Sequence, residues 1–198
     1  MGVGMTSDKL RASMRFGSAS PTETRAKEDL GRFGLGMKTA SISQCRNLTV
    51  CSKSEGELSA YQWDLDKIVE NDSNDWLLTV LDNQAISEDA LLKLLASDYL
   101  RKRDSGTIVL WRHLDATMAG TAVTDCERKF SELMSNSRKH IETVFHRFLS
   151  PSNGKKSVSM TFNNSQLTAF NPFGPAIPAR QEKQLEKIAL HGEIIKKH

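Results

Sequence analysis

Two Gly-x-Gly turns, each running into a helical pattern, constrain this chain more than any other feature. One is Gly2-Val3-Gly4, ahead of a short pattern carrying Leu10 and Met14. The other is Gly34-Leu35-Gly36, ahead of Met37-Lys38-Thr39-Ala40. Glycines at a helix start leave backbone N–H groups clear of side chains, where unpaired amides and the helix dipole favour an anion such as phosphate. A single such turn also has a plainer reading, as a tight turn that needs glycine's tolerance of positive φ. Spacing sets two other phosphate loops aside. A Gly-Lys-Ser/Thr loop needs adjacent glycine and lysine, and here Met37 separates Gly36 from Lys38. A dinucleotide-binding turn needs a strand directly before it, and Thr22–Leu30 is polar and charged.

The rest of the chain reads as an alternation of strands and helices. Thr6 is placed to cap the first short helix. Ser18–Leu30 has the composition of a loop. Asn47–Lys53 and Leu58–Asp64 read as β-runs joined around Glu55-Gly56, with a third strand at Trp76–Leu81. Ser87 is expected to cap a helix that carries Glu88 and Asp89 in its first turn. That helix would bury Leu91, Leu92, Leu94 and Leu95 and end in Arg101-Lys102-Arg103. These three basic residues fit a helix C-terminus better than a nucleic-acid patch. Asp104-Ser105-Gly106 turns the chain into a strand over Thr107–Arg112.

A boundary is expected within Asp115–Thr121, dividing the chain into residues 1–116 and 117–198. Thr124 and Glu127 have capping-box spacing. The helix they would start carries a stripe from Phe130 through Leu133, Met134, Ile141, Val144, Phe145, Phe148 and Leu149, with one weak turn at Asn136-Ser137. Ser150-Pro151 and Asn153-Gly154 end it. A hairpin follows, with Val158, Met160 and Phe162 before a turn at Asn163-Asn164 and a second strand through Leu167 and Phe170. Pro172, Pro175 and Pro178 then break regular structure, and Glu186–Ile195 alternates again around Gly192.

Composition narrows the function classes. With 198 residues and 38% hydrophobic content, the chain can bury a core. A net charge of +3, from 27 basic and 24 acidic residues, is far from the footprint of a dedicated nucleic-acid binder but leaves nucleic acid open as a partner. Cys45, Cys51 and Cys126 form no metal-ligand or redox spacing, so reduced thiols and a cytoplasmic setting are expected. No apolar run approaches the ~20 residues of a membrane span, and no secretory leader pattern is visible. The five histidines, His113, His140, His146, His191 and His198, have no metal spacing.

Taken in order, the glycine turns resemble motifs of the GHKL superfamily, the Bergerat-fold ATPases that include DNA gyrase, heat-shock chaperones, histidine kinases and MutL. The second motif of that family is Asp-x-Gly-x-Gly, often followed by Met, and Gly2, Val3, Gly4 and Met5 fit its last four positions. Its third is a glycine-rich turn closing a mobile lid, matched by Gly34-Leu35-Gly36, with Ser18–Leu30 as the lid. Its fourth is a Gly-Thr pair entering a strand, matched by Gly106-Thr107. Arg15-Phe16-Gly17-Ser18 and the Phe33–Ser41 segment are most similar to the Microrchidia branch, with MutL next.

The resemblance implies a two-layer α/β sandwich, a mixed and mostly antiparallel sheet with helices on one face. After residue 116 it implies the start of a transducer-like α/β domain, in which Lys155 and Lys156 read as surface charges. It implies ATP as the ligand. Gly2 and Gly4 would approach adenine and ribose, with Met5 packing on the base. Gly34, Leu35 and Gly36 would offer amides to phosphate, with Lys38 within reach if it faces the pocket. Thr107 would bond near adenine, directly or through water; its alternative reading is an ordinary β-branched strand residue. The motif-two Asp would stand one position before Met1. The family's general-base Glu and Mg²⁺-binding Asn would lie earlier still, so the chain reads as an internal fragment with no catalytic residue of its own and no Mg²⁺ ligand.

Two functions follow as expectations. The first is the nucleotide-binding region of a clamp ATPase that closes its lid, dimerises as a homodimer in the full-length protein, and hydrolyses little as this fragment. The second is a degenerate dimerisation module of the same fold. A kinase-type member is disfavoured, since no histidine-bearing dimerisation helix precedes the ATPase region.

Overall fold

A computed structural model describes residues 2–15, 34–71, 76–151, 157–174, 187–190 and 193–196. The chain divides into two compact units, Met1–Thr121 and Ala122–His198. Ser18–Leu30, Lys155 and Lys156 lie outside the described residues.

The first unit is built on four antiparallel strands, β1 (Asn47–Ser54), β2 (Glu57–Asp64), β3 (Thr79–Leu81) and β4 (Gly106–Arg112), in the order β3-β2-β1-β4. Glu55 (φ 54) and Gly56 (φ 84) form the two-residue turn between β1 and β2. Two left-handed residues give the turn a twist that matches the strands it joins. The sequence marks β1 and β2 to within a residue, whereas the third strand starts only at Thr79 rather than at Trp76.

Strand alternation gives β1 two apolar faces, and both are covered. On one face Leu48 and Val50 meet Tyr61 and Trp63 of β2 beneath α1 (Ser7–Met14), whose Leu10 and Met14 are fully buried. Their i, i+4 spacing puts them on one side of the helix, and burying each contributes about 2 kcal/mol. Met37 of α2 (Gly36–Ile42) packs against the same cluster. After β2 the chain turns through α3 (Leu65–Glu70), capped by the Asp64 carboxylate, which accepts from the Asp66 and Lys67 amides. On the opposite face Cys51 and Ala60 pack with Ile86 of α4 (Asn83–Glu88), Leu92 of α5 (Ala90–Leu94), and Ala96 and Leu100 of a π-helical segment, Leu95–Arg101. The fold class is the expected antiparallel α/β arrangement, but the helices, expected on one face, stand on both faces of β1 because each face carries buried apolar residues.

The helical region after β3 departs from the expected single helix. Asp82 caps α4 by accepting from Ala85, and Asp89 caps α5 by accepting from Leu91 and Leu92. Ser87 instead donates to the Gln84 carbonyl. The backbone is extended at Asp89 (φ −87, ψ 109), which resets the helical phase. Leu92 therefore turns inward while Leu91 and Leu94 stay exposed. Thr6 likewise precedes α1 without a side-chain cap. A short helix α6 (Asp115–Met118) follows β4.

The second unit holds α7 (Cys126–Val144), α8 (His146–Leu149) and a minimal hairpin, β5 (Thr161–Phe162) with β6 (Ser165–Gln166), turning at Asn163 and Asn164, both at positive φ. The Thr124–Glu127 capping box does not form, because Val123–Asp125 is a 3₁₀ turn. Helix α7 continues through Asn136-Ser137, and Arg138 pairs with Glu142 one turn on. Glu142 also accepts from the Thr168 amide through its side chain and from the Phe170 amide through its carbonyl. The second hairpin strand ends at Gln166, and Leu167 is buried beyond it. Strands β7 (Lys187–Leu190) and β8 (Glu193–Lys196) pair antiparallel within the alternating tail. Among the described residues no helix is long and apolar enough to cross a membrane.

Candidate functional site

The segment Gly2–Met5 lies against one end of the sheet, where β1 finishes and β4 begins. Gly4 has φ +67, and a Cβ there would stand 1.9 Å from the Lys53 carbonyl oxygen and 3.2 Å from the Gly106 nitrogen. Only glycine fits, since both the backbone angle and the space exclude a side chain. The close approach that requires Gly4 is therefore to the chain's own strand ends. Ser105 Oγ donates to the Gly2 carbonyl (2.8 Å), which holds the start of the segment at the turn into β4.

Ser52 makes the central connection. It is fully buried on β1, in register with Thr107 on β4. The Met5 amide donates to Ser52 Oγ (2.8 Å), Ser52 Oγ donates to the Gly106 carbonyl (3.1 Å), and the Ser52 and Thr107 hydroxyls are 2.8 Å apart. Three residues expected at a ligand site, Gly4, Met5 and Thr107, are thus brought together through one side chain. Met5 packs on the core beneath α1, with its sulfur 3.5 Å from Ser13 Oγ. Thr107 is exposed, on the same face of β4 as the exposed Val109 and Trp111. The signal that sequence reasoning missed was Ser52 itself, a lone hydroxyl inside an otherwise ordinary strand run.

The second glycine turn sits at the start of α2. Gly34 has φ 61, and a Cβ at Gly36 would meet no atom within 4 Å, as at Gly2. Leu35 is partly exposed. Lys38 is 1% exposed, and its Nζ donates to the Ser13 carbonyl (2.6 Å) at the end of α1. Burial lowers its pKa below the usual lysine value. Trp111 Nε1 donates to Ser41 Oγ (2.8 Å), tying α2 to β4. The positions that face open space are Gly2 and Gly36, while Gly4 and Lys38 are taken up by internal contacts.

At the end of β1 Lys53 Nζ donates to the carbonyls of Arg101 and Arg103, closing the π-helical segment. Arg103 donates to the Tyr99 carbonyl and lies over its ring. A cavity of about 350 Å³ lies at the far end of β2, between Asp64, Lys67, Glu70, Asn71 and Thr79, away from both glycine turns. Among the described residues no group of three His, Cys, Asp or Glu side chains is placed to hold a metal ion.

Residues 1–107 match the family model described as histidine kinase-, DNA gyrase B-, and HSP90-like ATPase. The match runs from the first glycine turn to Thr107. No curated protein matches the chain.

Proposed function

Since the chain belongs to the histidine kinase-, DNA gyrase B- and HSP90-like ATPases, we propose that its first unit binds ATP between the ends of β1 and β4 and the start of α2. Gly2, Gly4, Met5 and Thr107 form the base and ribose end. Gly34, Leu35 and Gly36 offer amides to the phosphates. Lys38 sets the angle between α1 and α2 from its seat on Ser13 and thereby positions that turn. The observation that carries the reading is the buried Ser52 hydroxyl, which ties the Gly4-Met5 backbone to Gly106 and Thr107. Gly36 is exposed, with open space where a side chain would stand, which suits the approach of a polyanion to the turn.

Bound ATP supplies the charged triphosphate on which closure of the unit depends. In the Microrchidia- and MutL-type reading, that closure drives homodimerisation and hydrolysis resets the clamp. The role proposed for these residues is ATP binding. Calorimetric titration of the chain with Mg²⁺-ATP tests this. Saturable binding that is lost in Gly36→Val is the expected result. Binding unchanged in Gly36→Val would overturn the phosphate assignment.

A further inference from the structure

We infer that the π-helical segment Leu95–Arg101 is an element whose register responds to occupancy of the nucleotide seat, and that Lys53 couples the two. The inference rests on the ATP-binding reading above and adds the part of the fold that senses it.

The π register has a packing reason. Leu92, Ala96 and Leu100 are spaced four apart, and all three are buried in one cluster with Cys51 and Ala60. Four residues of α-helix advance about 40° beyond a full turn, so a continuous α-helix would carry Leu100 away from that line. The wider i→i+5 turns of the segment advance less per residue and bring Leu100 back. Its Cδ2 then lies 3.2 Å from the place a Cβ would take on Gly106. Helix α5 runs directly into the segment, and Leu94 and Leu95 both have α-helical angles. A shift of that junction by one residue gives the element a second register, with Leu100 swung off Gly106.

Lys53 holds the π register. Strand alternation sends neighbouring side chains to opposite faces of β1. Ser52 takes the Met5 amide on one face, and Lys53 reaches the π segment on the other. A helix end leaves its last carbonyls unpaired. The Lys53 ammonium satisfies those of Arg101 (3.1 Å) and Arg103 (2.7 Å), and the Arg103 guanidinium satisfies that of Tyr99 (2.8 Å). The Lys53 carbonyl is also the surface against which Gly4 rests, and Lys53 pairs with Gly106 across the sheet. One residue thus meets the first glycine turn through its main chain and the π segment through its side chain. A nucleotide that fixes Gly4 and Gly106 fixes both anchors of the π register, Lys53 and Leu100. The segment and the turn after it present that register to solvent through Tyr99, Arg101 and Arg103, all exposed.

Amide hydrogen exchange with and without saturating Mg²⁺-ATP tests the coupling in the native chain, Lys53→Met and Lys53→Arg, with saturation established for each by calorimetry. In the native chain ATP is expected to slow exchange at residues 100–102 about fivefold, an effect of the size of one hydrogen bond. In Lys53→Met, exchange there is expected to rise about fivefold without nucleotide and to lose its response to ATP, while Val50 and Cys51 keep their protection. Lys53→Arg still carries donors for both carbonyls and is expected to restore the response. A cap with a purely structural role would raise exchange in Lys53→Met yet leave the ATP response at its native size, and that result overturns the inference. So does saturable ATP binding by the native chain with no change at residues 100–102, a result that depends on no variant folding. A native chain that binds no ATP overturns the ATP reading itself.

Discussion

The Lys38 ammonium lies 2.6 Å from the Ser13 carbonyl oxygen and joins the first turn of α2 to the last turn of α1. Lys38→Met keeps most of the packed stem but leaves that carbonyl without its donor. The expected loss is about 1–3 kcal/mol in urea unfolding. The sign with pH follows from burial, which holds the folded-state pKa below the unfolded value. Between those two values the unfolded chain binds more protons, so stability rises with pH there, and Lys38→Met should flatten the rise. Unchanged stability in Lys38→Met would rule out the brace.

Gly4 and Gly36 should respond oppositely to substitution. Gly4→Ala places a Cβ 1.9 Å from the Lys53 oxygen at φ +67. It is expected to cost more than about 3 kcal/mol or to prevent folding. Gly36→Ala meets no atom within 4 Å and should leave thermal stability within about 1 kcal/mol. Thermal denaturation of the two variants distinguishes a glycine required by the fold from one kept clear at an open surface.

Arg112 makes two hydrogen bonds to Asp89, one of 2.6 Å to Oδ1. With the Leu92 and Leu91 amides they hold the Asp89 pKa at about 2, against an ordinary value of 3.8. The depressed folded-state value contributes about 2 kcal/mol, fully present above about pH 4 and lost as pH falls through about 2. Arg112→Gln should remove this acid-sensitive component, measured as the urea midpoint between pH 5 and 2.

Burial separates the cysteines. Cys45 and Cys51 are 1% and 2% exposed, and burial pushes the Cys51 thiol up to about 11. A buried thiol held in its protonated form is a poor nucleophile. Cys126 is partly exposed. A disulfide reagent at neutral pH should titrate one thiol quickly in the native chain, at Cys126, and the other two only on unfolding.

Much of the first unit is legible in the residues. Alternation in Asn47–Lys53 and Leu58–Asp64, with glycine in the turn between them, is enough to place β1 and β2. The leucine-rich stretch was misread because three acceptors, Ser87, Asp82 and Asp89, compete to cap it. Asp82 and Asp89 each cap a helix of their own, and Asp89 is held by Arg112, which is distant in sequence. The Thr124–Glu127 pair has the right spacing, but the local turn is 3₁₀. At the site, the glycine turns and Thr107 can be read from local pattern. Ser52 cannot, because its importance arises only when β1 and β4 pair.

The most direct test of the account is a nuclear magnetic resonance titration of methyl-labelled methionine and backbone amides with Mg²⁺-ATP. The account predicts saturable shifts at the Met5 methyl and the Gly36, Gly106 and Thr107 amides, with Met134 and Met160 unmoved. Shifts confined to Asp64, Lys67, Glu70 and Asn71 around the cavity at the far end of β2, or no shifts at all, would contradict it.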